Sequence, residues 1–371
     1  MKTTAAKILF KNSIFFAGIL SLALAQPLQA KPGDLDTTFG QNGFSIITAP
    51  GTSTTSIESA NAVAVQPDGK VLIVGTADSL VAILRLNPDG TPDSSFGASG
   101  KVTTGFSPSD VANAVALLPN GKFIVAGSTT LPGNNGADFL VARYETNGDL
   151  DTTFGTNSST EIGFGNTNGF NVARALAVQP DGKIIVAGQA DNIISTNVGS
   201  ADFGVARLNA DGSLDSTFGT GGKASTDFAR LFDSANAVIL QPDGKILVAG
   251  VENFSVTNFN TENFAVARYL TNGLLDTTFG TNGLMNIGYG NRDCVAYGIA
   301  LQSSGKIIVG GQLDDIDNNG VDGGFTVARL NTNGSLDTSF GNLGTGVTSK
   351  GVSGSVADYV SAHRFTVSID Q

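Results

Sequence analysis

The 371-residue chain contains no tryptophan, one cysteine, one histidine and two methionines. Each scarcity removes a class of mechanism. A lone cysteine, Cys294, permits no internal disulfide, so an exported chain would be held by packing rather than by covalent staples. Cys294 opens an apolar stretch, the setting of a buried, inert thiol. One histidine and one cysteine cannot assemble a zinc site. A Ser-His-Asp triad would rest on His363 alone, in the irregular tail. Glycine-rich phosphate loops are absent. The absence of tryptophan excludes repeats built on a Trp-Asp signature. Cations are also few: 21 Lys and Arg against 32 Asp and Glu. Nucleic acid, which needs a basic face, is not an expected partner.

What is present begins with a leader. Lys2, Lys7 and Lys11 precede an apolar run from Ile14 to Ala25, with small residues offering cleavage after Ala25 or Ala30. Residues 1–30 therefore read as a Sec-type secretory signal peptide. The alternative, an uncleaved anchor, suffers from a run shorter than the roughly 20 apolar residues a span needs. No cysteine follows the run, so no lipid anchor is expected. Without residues 1–30 the chain keeps 18 basic and 32 acidic groups, a net charge of −14. No later stretch is long and apolar enough to span a bilayer, and a secreted or periplasmic monomer is expected.

The remainder is organised around one recurring stretch. Leu214-Asp215-Ser216-Thr217-Phe218-Gly219 returns at Leu35–Gly40, Leu150–Gly155, Leu275–Gly280 and Leu336–Gly341, with a weaker copy at Asp93–Gly97. Its phenylalanines lie 57, 58, 64, 61 and 61 residues apart, a period that decides architecture. Each repeat then reads alike. A short extended strand a comes first (Phe44–Ile47, Lys101–Thr104, Lys223–Thr226, Leu284–Ile287). Next is an apolar strand b such as Ala235–Leu240, then a tight turn such as Gln241-Pro242-Asp243-Gly244-Lys245. Strand c (Ile184–Gly188 and equivalents) and strand d (Phe203-Gly204-Val205-Ala206-Arg207 and equivalents) complete it. The Pro-Asp-Gly turn suits a hairpin. No stretch shows helical periodicity.

Strands b and c are nearly continuous apolar runs, which implies burial on both faces. Four-stranded sheets of that kind, repeated, are blades of a β-propeller. The expected fold is all-β: a propeller of four-stranded antiparallel blades, with five complete repeats and a degenerate C-terminal partial blade. After the leader, residues 31–371 form one domain. Its repeats are 33–90, 91–148, 149–212, 213–273 and 274–334, with the partial blade at 335–371. An open β-solenoid is the competing architecture. The partial blade has a strand a at Gly346–Ser349. Its Arg364–Ile369 resembles strand d by motif and strand b by spacing, leaving five and six blades both open.

The motifs Gln-Pro-Asp-Gly-Lys-Ile-Ile-Val-Ala-Gly, Phe-x-Val-Ala-Arg and Asn-x-Asp/Asn-Gly-x-Leu-Asp-x-Thr-Phe-Gly resemble those of the bacterial delta-60 repeat. The resemblance covers residues 33 to 341. It implies an exported, propeller-like protein and carries no catalytic or binding residues.

Four constellations invite a chemical reading. An arginine ends each strand d (Arg85, Arg143, Arg207, Arg268, Arg329), and an aspartate recurs at 36, 93, 151, 215, 276 and 337. Both partners in every repeat point to a structural pair, a bidentate fork joining a blade to the crossing that follows it. The recurring phenylalanines (39, 96, 154, 218, 279, 340) are expected to wedge between sheets. Asp315, Asp317, Asn319 and Asp322 space their oxygens like the start of a calcium loop, although Thr326 stands where the closing glutamate belongs. The spacing Asn87, Asp89, Asp93 and Asn209, Asp211, Asp215 is better explained by turns, since Asn147, Asn272 and Asn333 replace the middle aspartate. No catalytic residue and no cofactor other than calcium is expected. These features favour a binding scaffold for a protein or glycan, its specificity in the variable a–b and c–d loops. The alternative is a carbohydrate-binding or glycosidase-like propeller using acidic loop residues.

Overall fold

The computed structural model describes residues 35–47, 58–130, 136–165, 168–191, 201–228, 232–253, 262–288, 293–313, 324–341 and 345–351. The expected signal peptide, the loop holding Asp315–Asp322 and the tail from 352 lie outside these residues. So do the middles of the variable c–d loops.

Twenty strands build five four-stranded antiparallel sheets among the described residues. The first comprises β1 (Glu58–Val65), β2 (Val71–Ala77), β3 (Leu80–Leu86) and β4 (Lys101–Thr104). The second comprises β5 (Asp110–Leu117), β6 (Phe123–Thr129), β7 (Asp138–Tyr144) and β8 (Ser159–Ile162). The third comprises β9 (Val172–Val178), β10 (Ile184–Ala190), β11 (Asp202–Leu208) and β12 (Lys223–Thr226). The fourth comprises β13 (Asp233–Leu240), β14 (Ile246–Asn253), β15 (Glu262–Tyr269) and β16 (Leu284–Ile287). The fifth comprises β17 (Cys294–Leu301), β18 (Ile307–Leu313), β19 (Gly324–Leu330) and β20 (Val347–Gly351). Strands follow one another in chain order within each sheet.

Local chemistry explains the hairpins. In the fourth sheet Gly244 N–H donates to Gln241 O (2.9 Å), and Asp243 Oδ1 accepts from Lys245 N–H (3.2 Å). Gly244 takes a φ of 83°, which only glycine adopts without strain. The glycine of strand c has a different reason. β13 bulges between Ala235 and Ala237, and a Cβ on Gly250 would stand 1.9 Å from Ser234 O. The same close approach recurs at Gly75, Gly127, Gly188 and Gly311, which accounts for the glycine in the strand c motif.

One expectation needs correcting. The Leu-Asp-x-Thr-Phe-Gly stretch is not the crossing between blades. It joins the third and fourth strands of a single sheet: strand a pairs with the strand d that precedes it, as β12 does with β11. The segment hydrogen-bonds back onto β11, Asp215 N–H to Arg207 O and Arg207 N–H to Gly222 O, each at 2.9 Å. These bonds return the chain alongside the strand it has just left. The passage between sheets is the a–b loop.

The two ends follow from this phase. Phe44–Ile47, expected as a strand, makes only a bridge from Gln41 to Phe44, no strand d preceding it among the described residues; Ile46 is 94% exposed. The strand expected at Gly346–Ser349 forms, at Val347–Gly351, but as the outer strand of the fifth sheet rather than the start of a partial blade.

Sheets stack in chain order. Ile185, Val205 and Phe218 of the third pack with Ala235, Val248 and Tyr269 of the fourth, and equivalent clusters fill the other junctions. Phe218 is wholly buried, its ring laid on Gly273 of the next sheet, where a Cβ would come within 3.0 Å of it. Phe96 lies so on Gly148, Phe154 on Gly212 and Phe279 on Gly334; Phe39, in the leading segment, lies on Gly90. The wedge expected of the phenylalanines is therefore present. Phe340, in the last sheet, is only half-buried. Phe325 on the same sheet is 41% exposed, whereas its equivalents Phe139, Phe203 and Phe264 are covered by a following sheet.

Truncating Phe218 to alanine should cost about 3–5 kcal/mol, as for buried aromatics generally. Truncating Phe340 should cost clearly less. Denaturant titration of both variants checks this, and equal losses would contradict the wedge.

Candidate functional site

At one edge of every sheet the b–c turn, strand d and the d–a connection that follows it meet. Arg207 Nε donates to Asp215 Oδ2 (2.7 Å), and Lys183 Nζ of the b–c turn donates to the same oxygen (2.6 Å). Asp215 Oδ1 accepts from the Thr217 N–H and hydroxyl. The second guanidinium nitrogen reaches Thr271 O in the next sheet, and the third reaches Thr217 Oγ1 (3.1 Å). The guanidinium also lies over the Phe218 ring, 4.8 Å from its centre. The Lys–Asp–Arg group recurs as Lys70–Asp93–Arg85, Lys122–Asp151–Arg143, Lys245–Asp276–Arg268 and Lys306–Asp337–Arg329.

Pairing of arginine with aspartate was legible in the repeats, but its form was not. The fork is not bidentate, because only Nε meets the carboxylate, while one of the other nitrogens serves the neighbouring sheet's turn and the last serves Thr217. The lysine escaped notice, although it stands in every turn motif. Burial alone would raise the Asp215 carboxyl, but donors from Lys183 and Thr217 and the Arg207 charge outweigh it and hold it well below the usual range. Asp36, by contrast, is exposed and holds Thr38 in its own turn. The Asn-x-Asp-Gly spacing is turn chemistry: Asp89 Oδ1 accepts from Thr91 and Asp211 Oδ1 from Ser213. Cys294 is buried.

The opposite edge, where strands b and d begin and c and a end, is where the repeats diverge. Between the first and second sheets Asp110 is fully buried and fully satisfied, accepting from the Phe106 and Ser107 N–H groups and the Ser107 and Thr129 hydroxyls. Between the second and third, Asn171 takes the place of Asp110 and donates to Asp138 Oδ1 (3.0 Å). Between the fourth and fifth, Asp293 accepts from Glu262 N–H (3.0 Å).

The junction of the third and fourth sheets is different. Asp233 occupies the Asp110 position, with no exposed surface. Its Oδ2 accepts from Phe228 N–H (2.8 Å), while its Oδ1 is buried without a hydrogen-bond partner among the described residues. Glu252 stands directly opposite in the strand register, where the second sheet has Thr129. Glu252 Oε1 accepts from Asn263 Nδ2 (3.0 Å), and its Oε2 is likewise buried and unpartnered. From the third sheet come Asp202, at the start of β11, and Asp227, just past β12. One carboxylate oxygen each of Asp202, Asp227 and Asp233 lies within 4.8 Å of the others.

Burial, then the neighbouring charges of Asp227, Glu252 and Asp202, push Asp233 up to about 7. Burial also raises Glu252 and Asp202. Sequence reasoning singled out the flanking variable loops but not this cluster. The available signal was departure from the repeat. Asp227 stands where Gly105, Gly163 and Gly288 stand, and Glu252 where Ala77, Thr129, Ala190 and Leu313 stand. The calcium-type residues Asp315, Asp317, Asn319 and Asp322 lie outside the described residues.

A family model described as "Domain of unknown function (DUF5122) beta-propeller" matches residues 66–96, 118–154, 179–218, 241–279 and 302–340, half of the chain. No curated protein matches. Solved structures that resemble the chain include a protein of unknown function from Bacteroides caccae, with 11% identity and a TM-score of 0.43 over 75% of this chain and 80% of that one. The GH43 endo-arabinanase of Bacillus licheniformis has 13% identity and a TM-score of 0.36 over 78% and 97%. Drosophila Semaphorin 1a, extracellular domains 1-2, has 9% identity and a TM-score of 0.40 over 82% and 68%. Likenesses this distant carry no functional argument.

The clasp aspartates set an acid limit. A carboxyl held low in the folded state contributes stability above its unfolded value of about 4, and that contribution is lost as pH falls below it. Thermal melts between pH 6 and pH 3 should therefore drop for the native chain. Asp215→Asn should lower stability near neutral pH by about 3 kcal/mol, as for a broken buried pair, and flatten the pH slope. An unchanged slope would count against the clasp.

Proposed function

The chain belongs to the DUF5122 beta-propeller family, and from that premise we propose that it is an exported binding scaffold of the delta-60 kind that takes a cationic partner at its variable loop edge. One observation carries this reading: the two edges of the sheets are unlike. At the clasp edge each buried carboxylate is matched by lysine and arginine, and the same residues recur from sheet to sheet. At the loop edge the frame is constant but its side chains change, and acids accumulate: Asp138, Glu161, Asp202, Asp227, Asp233 and Glu252. Variation on a constant frame is what a binding surface needs, because rigid strands position loops that are free to differ. Negative potential there steers cationic groups and repels nucleic acid. The basic start and apolar run of residues 1–30 support export.

One observation favours the glycan-acting alternative. A groove of about 800 Å³ is lined by Phe106, Thr153, Thr160, Glu161, Asp211 and Ser213. Burial and then the charges of Asp138 and Asp110 raise the Glu161 carboxyl, as a general acid requires. Asp211, however, is occupied by its own turn, accepting from Ser213 N–H (2.9 Å) and Oγ (2.7 Å). The scaffold reading uses more of the molecule.

Immobilised oligolysine, oligoglutamate and neutral glycans separate the two. The scaffold should retain oligolysine, lose it as salt rises, and bind it less when Glu161 and Asp202 become Gln and Asn. Glycan capture or release of reducing ends, without affinity for oligolysine, would favour the alternative.

A further inference from the structure

We propose that Asp202, Asp227, Asp233 and Glu252 hold a calcium ion that ties the third sheet to the fourth. The inference does not rest on the cationic partner proposed above, since an ion here would join two sheets whether or not a ligand binds.

The first ground is geometric. The oxygens of Asp202, Asp227 and Asp233 lie within 4.8 Å of one another. Calcium–oxygen distances are about 2.3–2.6 Å, so oxygens this close can all be reached by one ion placed between them. Glu252 is added by the strand register, opposite Asp233 on the same face of the fourth sheet. That face looks toward the third sheet, since Ala235, next but one to Asp233, packs there.

The second ground is an unmet need. Asp233 is fully buried and Glu252 is 1% exposed, and among the described residues Asp233 Oδ1 and Glu252 Oε2 both lack a hydrogen-bond partner. A buried carboxylate oxygen left unpartnered is costly, and like charges directly opposite on adjacent strands destabilise a sheet. A divalent cation removes both penalties. The donors are all carboxylates, which suits a hard ion, and exposed Asp227 leaves the site open to solvent.

The third ground is internal comparison. The frame recurs at the first and second junctions, where its carboxylates meet hydrogen-bond donors, while at the fourth Cys294 stands at the Asp110 position. Asp110 is met by four donors. Asn171 supplies the donor that meets Asp138. Relative to the first junction, the third replaces the donor Thr129 with Glu252 and Gly105 with Asp227; relative to the second, it replaces the donor Asn171 with Asp233 and Gly163 with Asp227. The exchange removes donors and adds charge in one place.

The full chain, freed of metal with EGTA and desalted, should be titrated with calcium and magnesium by calorimetry and thermal melting. Calcium should bind with a Kd of about 10⁻³ M or tighter, the range of extracellular modules, raise the melting temperature and exceed magnesium. Asp227→Asn and Asp233→Asn should each weaken calcium binding about tenfold or more, as loss of a charged ligand does. Without calcium Asp233→Asn should melt no lower than the native chain, because it relieves repulsion; Asp227→Asn, at an exposed position, carries the test if the other variant fails to fold. Asp315→Asn with Asp317→Asn should leave the response intact. No shift at about 10 mM calcium, an equal response to magnesium, a response that survives both single variants, or one abolished by the 315/317 pair would each overturn the site.

Discussion

Each sheet carries apolar side chains on both faces, so none can bury its surface without a neighbour. The contact that supplies the neighbour is a phenylalanine ring laid on a glycine of the next sheet beneath an arginine. Phe218 meets Gly273 while Arg207 covers the ring and hydrogen-bonds to Thr271. Only glycine lets the ring come so close, and only arginine has enough donors to serve Asp215, Thr217 and the neighbouring turn together. The carboxylate in turn needs Lys183, because a buried charge left half-paired is costly. Ring, clasp and turn are one unit repeated along the stack, which explains why these residues recur while the loops do not.

That arrangement divides each sheet into two ends with different obligations. The clasp end must reproduce the same contact at every junction, so its residues are held to a pattern. The loop end meets its neighbour through whatever polar closure the local side chains allow. Asp110 is closed by hydroxyls and backbone amides, Asn171 donates its amide to Asp138, and Asp233 has one backbone amide, from Phe228, its Oδ1 being unmet among the described residues. Chemistry accumulates where the fold asks least, and a surface evolves there without cost to the stack.

Much of this could be read before any coordinates. Alternating turns and apolar runs announced four strands per repeat, and β4, β12 and β16 fall on the expected residues. The Arg207–Asp215 pair was legible because its partners are eight residues apart and present in every repeat. What escaped was the phase of the sheets. A repeat cut before or after strand a has the same composition and the same hydrophobic pattern, so the pattern cannot say which strand d pairs with a given strand a. The lysine of the clasp escaped for a related reason: in Gln-Pro-Asp-Gly-Lys it reads as an ordinary turn residue, and its partner lies 32 positions away.

By itself, then, the sequence determined the four-strand repeat, the net charge and the residues that must recur, because these depend on composition and on a period of about sixty written along the chain, though not that Phe44–Ile47 would stay unpaired as a strand. Tertiary structure alone decided that the Leu-Asp-x-Thr-Phe-Gly stretch closes a sheet rather than leaving it, and that Asp202, Asp227, Asp233 and Glu252 converge. Those four acids come from two sheets and span 50 positions. Stacking brings them together, and no local pattern records which faces will meet.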